Sequence, residues 1–184
     1  MKVILNLIFV ILVLNCEKKP EQEKTLSLEK ASSVSVEISW EYKNLPAKMQ
    51  IFEPPAQRPY ELWQTGTTKE LKNAPVSIEI ENSKFNISPG SKKSFVLVMQ
   101  NITDKPIYFF AAPHLVHPAE HSLGFKFKCL CVNHAFTIAP QEYWFRVVEL
   151  RVSENFLGSS MNIQHTLVGI TEKHSKEFGM EKEN

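Results

Sequence analysis

Cysteine and glycine are scarce in this 184-residue chain, at three and six, and its 21 Lys and Arg nearly cancel its 20 Asp and Glu. So few cysteines exclude a fold stapled by several disulfides. A net charge near zero, with no basic stripe, argues against nucleic acid as a partner. No apolar run approaches the roughly 20 residues that a bilayer-spanning helix needs. No Ser-His-Asp arrangement, phosphate-binding loop or His-Glu-x-x-His can be read, so the expectation is a protein that is not an enzyme.

The apolar run that does occur, Val3 to Leu14 broken only by Asn6, follows Met1-Lys2 and leads into Asn15-Cys16. A short basic start before a brief apolar stretch is the pattern of a secretory signal. With Glu17-Lys18-Lys19-Pro20-Glu21 directly after the cysteine, it resembles a bacterial lipoprotein signal. The resemblance implies that residues 1–15 are removed and that Cys16 is lipidated. Residues 16–30 are charged and poor in large apolar groups, and read as a solvated tether. The expected location is the bacterial cell envelope, facing the periplasm, with a lipid as the link to the membrane.

The body shows no sustained helical period. Short β-branched and aromatic runs alternate with Pro, Gly and Asn clusters, which predicts an all-β, immunoglobulin-like or cupredoxin-like antiparallel sandwich. Val34 to Trp40 alternates apolar and polar residues as a strand does. Pro46, Pro54, Pro55 and Pro59 make residues 44–75 read as a long connection, with Tyr60 and Trp63 at the domain edge. Residues 31–75 are thus expected to be an N-terminal strand plus extension, 76–171 the sandwich proper, and 172–184 a frayed tail. Strands are predicted at 76–80, 85–87, 95–99, 107–112, 125–132, 136–138, 143–152 and 161–170. Phe95 to Met99 is continuously apolar, as in a strand buried on both faces.

With Cys16 assigned to lipid, Cys129 and Cys131 are the body's two thiols. In a regular strand, residues i and i+2 share a face, so both thiols point one way and Leu130 points into the core. A disulfide across one residue is strained and a poor staple. Two thiolates on one face make a soft-ligand site that favours Cu(I) and also suits zinc. Zinc calls for four ligands, and His134 is the obvious third by sequence, so the pair points to Cu(I). His114, His117 and His121 also crowd this region, whereas His165, in the last predicted strand, reads as structural. Lys126 is expected either to favour the thiolate form by its charge or to be an outward-facing strand lysine. A cupredoxin-like electron carrier, using Cys131, His134 and His114 or His117, is the second reading. A structural or surface sandwich with an incidental cysteine pair is the third.

Several segments occur in the order of a known family. They are Pro89-Gly90, Asn101-x-Thr103-Asp104-Lys105-Pro106, Ala112, Val116, Pro118, Lys126-x-x-Cys129-Leu130-Cys131 and Ile138-Ala139-Pro140-Gln141-Glu142. From residue 87 to about 170 the chain resembles the CtaG-type cytochrome c oxidase assembly factors, copper chaperones with an immunoglobulin-like domain. It differs from that pattern at Leu130, Val132 and Asn133-His134. The resemblance implies Cu(I) as cargo, Cys129 and Cys131 as ligands, and the catalytic subunit of a haem-copper oxidase as recipient. A homodimer sharing copper between two cysteine pairs is a further expectation.

Overall fold

A computed structural model describes residues 31–57, 59–131 and 134–178. The signal sequence, Cys16, the tether, Val132, Asn133 and residues 179–184 lie outside the described residues. The described chain forms an all-β sandwich of two sheets. The first runs in the order β4 (Lys84–Ile87), β1 (Val34–Lys43), β11 (Ser160–Ile170), β6 (Ile107–Ala111) and β9 (Phe136–Ile138). Here β7 (Leu115–His117) also pairs with β11, beyond the end of β6. The second runs β2 (Met49–Phe52), β5 (Lys92–Gln100), β10 (Tyr143–Val152) and β3 (Thr65–Thr68), and β8 (Phe125–Lys128) also pairs with β10. Pairing is antiparallel except between β1 and β11, which run parallel. Two strands so far apart in sequence can pair this way because the whole domain serves as their crossover.

The alternation Val34-Val36-Ile38 on β1 and Met161-Ile163 and Leu167 on β11 turns apolar side chains inward. They meet Phe95, Leu97 and Met99 of β5, and Trp144, Val148 and Leu150 of β10, in one core. The continuous run on β5 is buried on both faces, as its composition requires. Its other side chains, Val96 and Val98, join Val147, Phe145, Phe52 and Ala74 in a second apolar layer packed by Leu71 and Val76.

Residues 44–75 therefore do more than connect. They contribute β2 and β3 to the second sheet and help to cover its outer face, so the sandwich begins at β1 and not at residue 76. Prolines flank these short strands without entering them, which masked them in the sequence. The predicted strand at 76–80 reduces to one bridge, between Phe52 and Glu79. Tyr60 is 39% exposed; Trp63, 49% exposed, does lie against the second sheet, its amide donating to the Val147 carbonyl at 3.0 Å and its ring 5.5 Å from Lys128 Nζ. At the other end, Glu172–Glu177 forms a short helix, α1, capped by the Thr171 side chain, and Phe178 stacks on Phe110. The start of the expected frayed tail is thus docked. Among the described residues, no helix is long and apolar enough to cross a membrane.

The Asn101 turn has a structural explanation. Asn101 is fully buried, and its Nδ2 donates to the carbonyls of Lys105, Ile138 and Ala139 at 2.7, 3.1 and 3.1 Å. Its Oδ1 accepts from the Thr103 amide and hydroxyl at 2.9 and 2.7 Å. One side chain thereby ties the β5–β6 turn to the end of β9.

Candidate metal centre

Strand β8 ends at Lys128, where pairing with Glu149 of β10 stops, so the two cysteines occupy the loop beyond it. This corrects the expected strand through 132. Two residues of a regular strand would hold their backbones about 6.5–7 Å apart, whereas the bent loop brings the two Sγ atoms to 3.3 Å. Both thiols are free. Leu130 between them is fully buried in the core, as alternation suggested.

Two histidines from the opposite sheet meet this loop. His114 sits between β6 and β7, with Nδ1 3.5 Å from Cys131 Sγ and 3.8 Å from Cys129 Sγ. His165 lies on β11, with Nδ1 3.7 Å from Cys131 Sγ. It occupies an inward position of the series Met161-Ile163-His165-Leu167 and is wholly buried. The parallel register puts Trp40 of β1 beside it, with the rings stacked at 5.2 Å. Phe127 meets the imidazole edge-on at 5.5 Å. These two aromatics hold His165 with Nδ1 towards the sulfurs, while its Nε2 has no hydrogen-bond partner among the described residues.

Together, His114, Cys129, Cys131 and His165 place one donor atom each within 4.8 Å of all the others, and these residues could hold a metal ion. A tetrahedral ion with bonds of about 2.3 Å to sulfur and about 2.0 Å to nitrogen has donor–donor edges of about 3.3–3.8 Å. Four of the six donor–donor separations here, from 3.3 to 3.8 Å, fall in that range, and all of them lie within 4.8 Å. Two thiols and two imidazoles suit a soft or borderline transition metal rather than calcium or magnesium.

Electrostatics already prepare the thiols. A hydrogen bond from Cys131 holds Cys129 well below the usual thiol value; burial opposes this, and His114 and His165 add to it. Cys131 is pushed up by the same hydrogen bond, by burial and by the charge of Cys129. The pair therefore retains one proton between its sulfurs. Burial drives His165 down to about 4, leaving the neutral imidazole that a metal requires.

The other expected residues are placed differently. Lys126 lies on the exposed side of β8, opposite Phe125 and Phe127, whose rings approach His114 at 5.9 and 6.0 Å. The downward pull on Cys129 comes from Cys131, His114 and His165 instead. His134 packs edge-on against Phe136 and is not among the four clustered residues. His117 is exposed on β7, and His121 is buried against Phe156 at 4.7 Å. His165, read from sequence as structural, is the donor that was missed. Its inward place in an apolar alternation was the available signal, because a buried polar ring needs a partner.

Residues 34–170 match the family described as Domain of unknown function (DUF8709). The chain belongs to the DUF8709 family. The match runs from the first residue of β1 to the last of β11, so the DUF8709 unit takes in both sheets and all four clustered residues. No curated protein matches the chain.

Proposed function

We propose that this DUF8709 protein is an exported, lipid-anchored carrier that binds Cu(I) and delivers it for assembly of a haem-copper oxidase. The observation that carries the metal-binding reading is the meeting of two thiols and two imidazoles, with one donor atom each within 4.8 Å of all the others. The fold has an extensive apolar core beside the site, so an ion is not needed to organise it. An ion that folding does not need is suited to exchange. Cys131 and His114 are half-buried and sit on loops, whereas Cys129 and His165 are buried. An acceptor thiolate or imidazole could thus displace the outer donors first, and copper could pass by stepwise ligand exchange. The thiolate pair and the resemblance to the CtaG-type chaperones favour copper as the cargo. Four donors from one chain supply a complete set, so this reading takes one ion per chain rather than one shared by a dimer.

A second reading, a cupredoxin-like electron carrier, is favoured by one observation. Cys131 has two histidine nitrogens within 3.7 Å, the His₂Cys set of blue copper sites. The second thiol, 3.3 Å from the first, replaces the weak axial ligand such a site uses.

Metal analysis of anaerobically purified protein, wild type against Cys129→Ser/Cys131→Ser, tests both readings. The carrier reading expects one colourless Cu(I) per wild-type chain and little in the variant. An intense blue colour in air would favour the electron carrier. Tight retention of zinc in preference to copper, or equal copper in both proteins, would overturn the carrier.

A further inference from the structure

The end of the sandwich opposite the Asn101 turn carries a surface that the metal centre does not use. Leu123, just before β8, is 94% exposed, and Leu157, in the β10–β11 loop, is 47% exposed. Both line one shallow hollow, and Leu123 also lines the next hollow with Phe125, Lys126 and Arg151. The patch is therefore continuous from aliphatic tips to a basic row. In that row Arg151 of β10 lies between Lys92 of β5 and Lys126 of β8, directly in register with each. Like charges directly opposed in a sheet are destabilising. Glu149 offsets part of this, 2.6 Å from Arg151 and 3.5 Å from Lys92, but Lys126 has no ion pair among the described residues. Exposed Glu120 lines the first hollow beside the leucines, and exposed Glu154 lies in the β10–β11 loop, so charge only orients this surface while the leucines contribute most of the binding.

The chain's path identifies what covers it. The Ser35 amide donates to the Ser159 carbonyl at 2.8 Å, and Ser35 pairs with Ser160. The N-terminal segment thus enters the sandwich two residues from Leu157, on the same end as the basic row. We infer that this end docks on an anionic phospholipid bilayer, with Leu123 and Leu157 entering the interface and Lys92, Arg151 and Lys126 facing the headgroups. The inference rests on the reading that Cys16 is lipidated, since that anchor would draw this end towards the membrane. Exposed aliphatic side chains beside cations are the chemistry of interfacial binding. A soluble acidic partner would not explain why the tether leaves at the same place.

Vesicle co-sedimentation tests this with the chain from Glu17 onward, which lacks Cys16 and keeps the whole core within residues 34–178. The protein should pellet with phosphatidylglycerol–phosphatidylcholine vesicles and less with phosphatidylcholine alone. Leu123→Asp/Leu157→Asp, at two exposed positions, should weaken partitioning about tenfold or more. Lys126→Glu should weaken it about fivefold at low salt and little at high salt. Wild type left in the supernatant with anionic vesicles, or a leucine variant that pellets like wild type, would overturn the inference. Pelleting only with membranes that contain an oxidase would assign the surface to a protein and overturn it equally. Metal content should be the same in all these variants. A protein that pellets yet binds no metal would leave the docking surface standing and sink the copper reading alone.

Discussion

His165→Leu removes an imidazole that is wholly buried, stacked on Trp40 and without a partner for Nε2. An unsatisfied buried polar atom costs about 1–3 kcal/mol, which the substitution returns. Leucine also completes the apolar series from Met161 to Leu167 and adds roughly 1–2 kcal/mol of burial. Against this stand the lost ring stacking, about 0.5–1.5 kcal/mol, and the contact with Cys131, about 1 kcal/mol. The metal-free domain should therefore gain about 1–2 kcal/mol and melt about 3–6 °C higher in its reduced form. Lowering the pH should widen the gap. Burial holds His165 at about 4 in the fold against an ordinary 6.5, so the unfolded chain binds the extra proton between these values. Wild-type stability then falls as pH drops from about 6.5 towards 4, by on the order of 3 kcal/mol from this group, and the variant lacks that loss. Metal affinity should move the other way, by more than the about 10–100-fold typical of changes around a ligand. Thermal melts of reduced, metal-free protein and Cu(I) competition against a chromophoric chelator measure the two effects. A variant that melts lower than wild type at pH 7 and binds metal equally well would show that His165 is a packing residue, and the four-donor centre would fail.

Asn101→Ala should cost about 3 kcal/mol in urea denaturation, because five hydrogen bonds at about 0.5–1.5 kcal/mol each are lost with some replaced by water; metal content should not change. Gly169→Ala would drive a Cβ into the Asn44 carbonyl oxygen, so β11 and the turn after β1 must separate. A loss of about 3 kcal/mol or more is expected by the same assay. Metal binding near pH 7 should release one proton from the cysteine pair, since Cys129 is already held as thiolate while Cys131 keeps its proton. Calorimetry in buffers of different ionisation heat would read it, and a thiol contribution of two would contradict the shared proton. Metal bound at His165 should change Trp40 fluorescence, given the 5.2 Å stacking, and the change should vanish in His165→Leu.

Sequence alone determined most of the strands and half of the centre. β10 and the main span of β11 were legible because long runs of alternating or continuous apolar residues can be satisfied in few other ways. Cys129 and Cys131 were legible because thiols two residues apart are chemically conspicuous in any fold. Only the tertiary structure decided the rest of the candidate metal centre. His114 and His165 lie 51 positions apart in the chain; His114 is one of several histidines near the cysteines, and His165 carries no local mark of metal binding. What joins them to the sulfurs is the packing of one sheet on the other, and what aims His165 is the parallel register of β1, which sets Trp40 beside it. Lys126 falls outside the set because it points from β8 to the side opposite Phe125 and Phe127, and His134 because the chain beyond β8 packs it against Phe136. Spacing along the chain fixes which residues share a strand face. Which faces meet across the sandwich is settled by burial of the core as a whole.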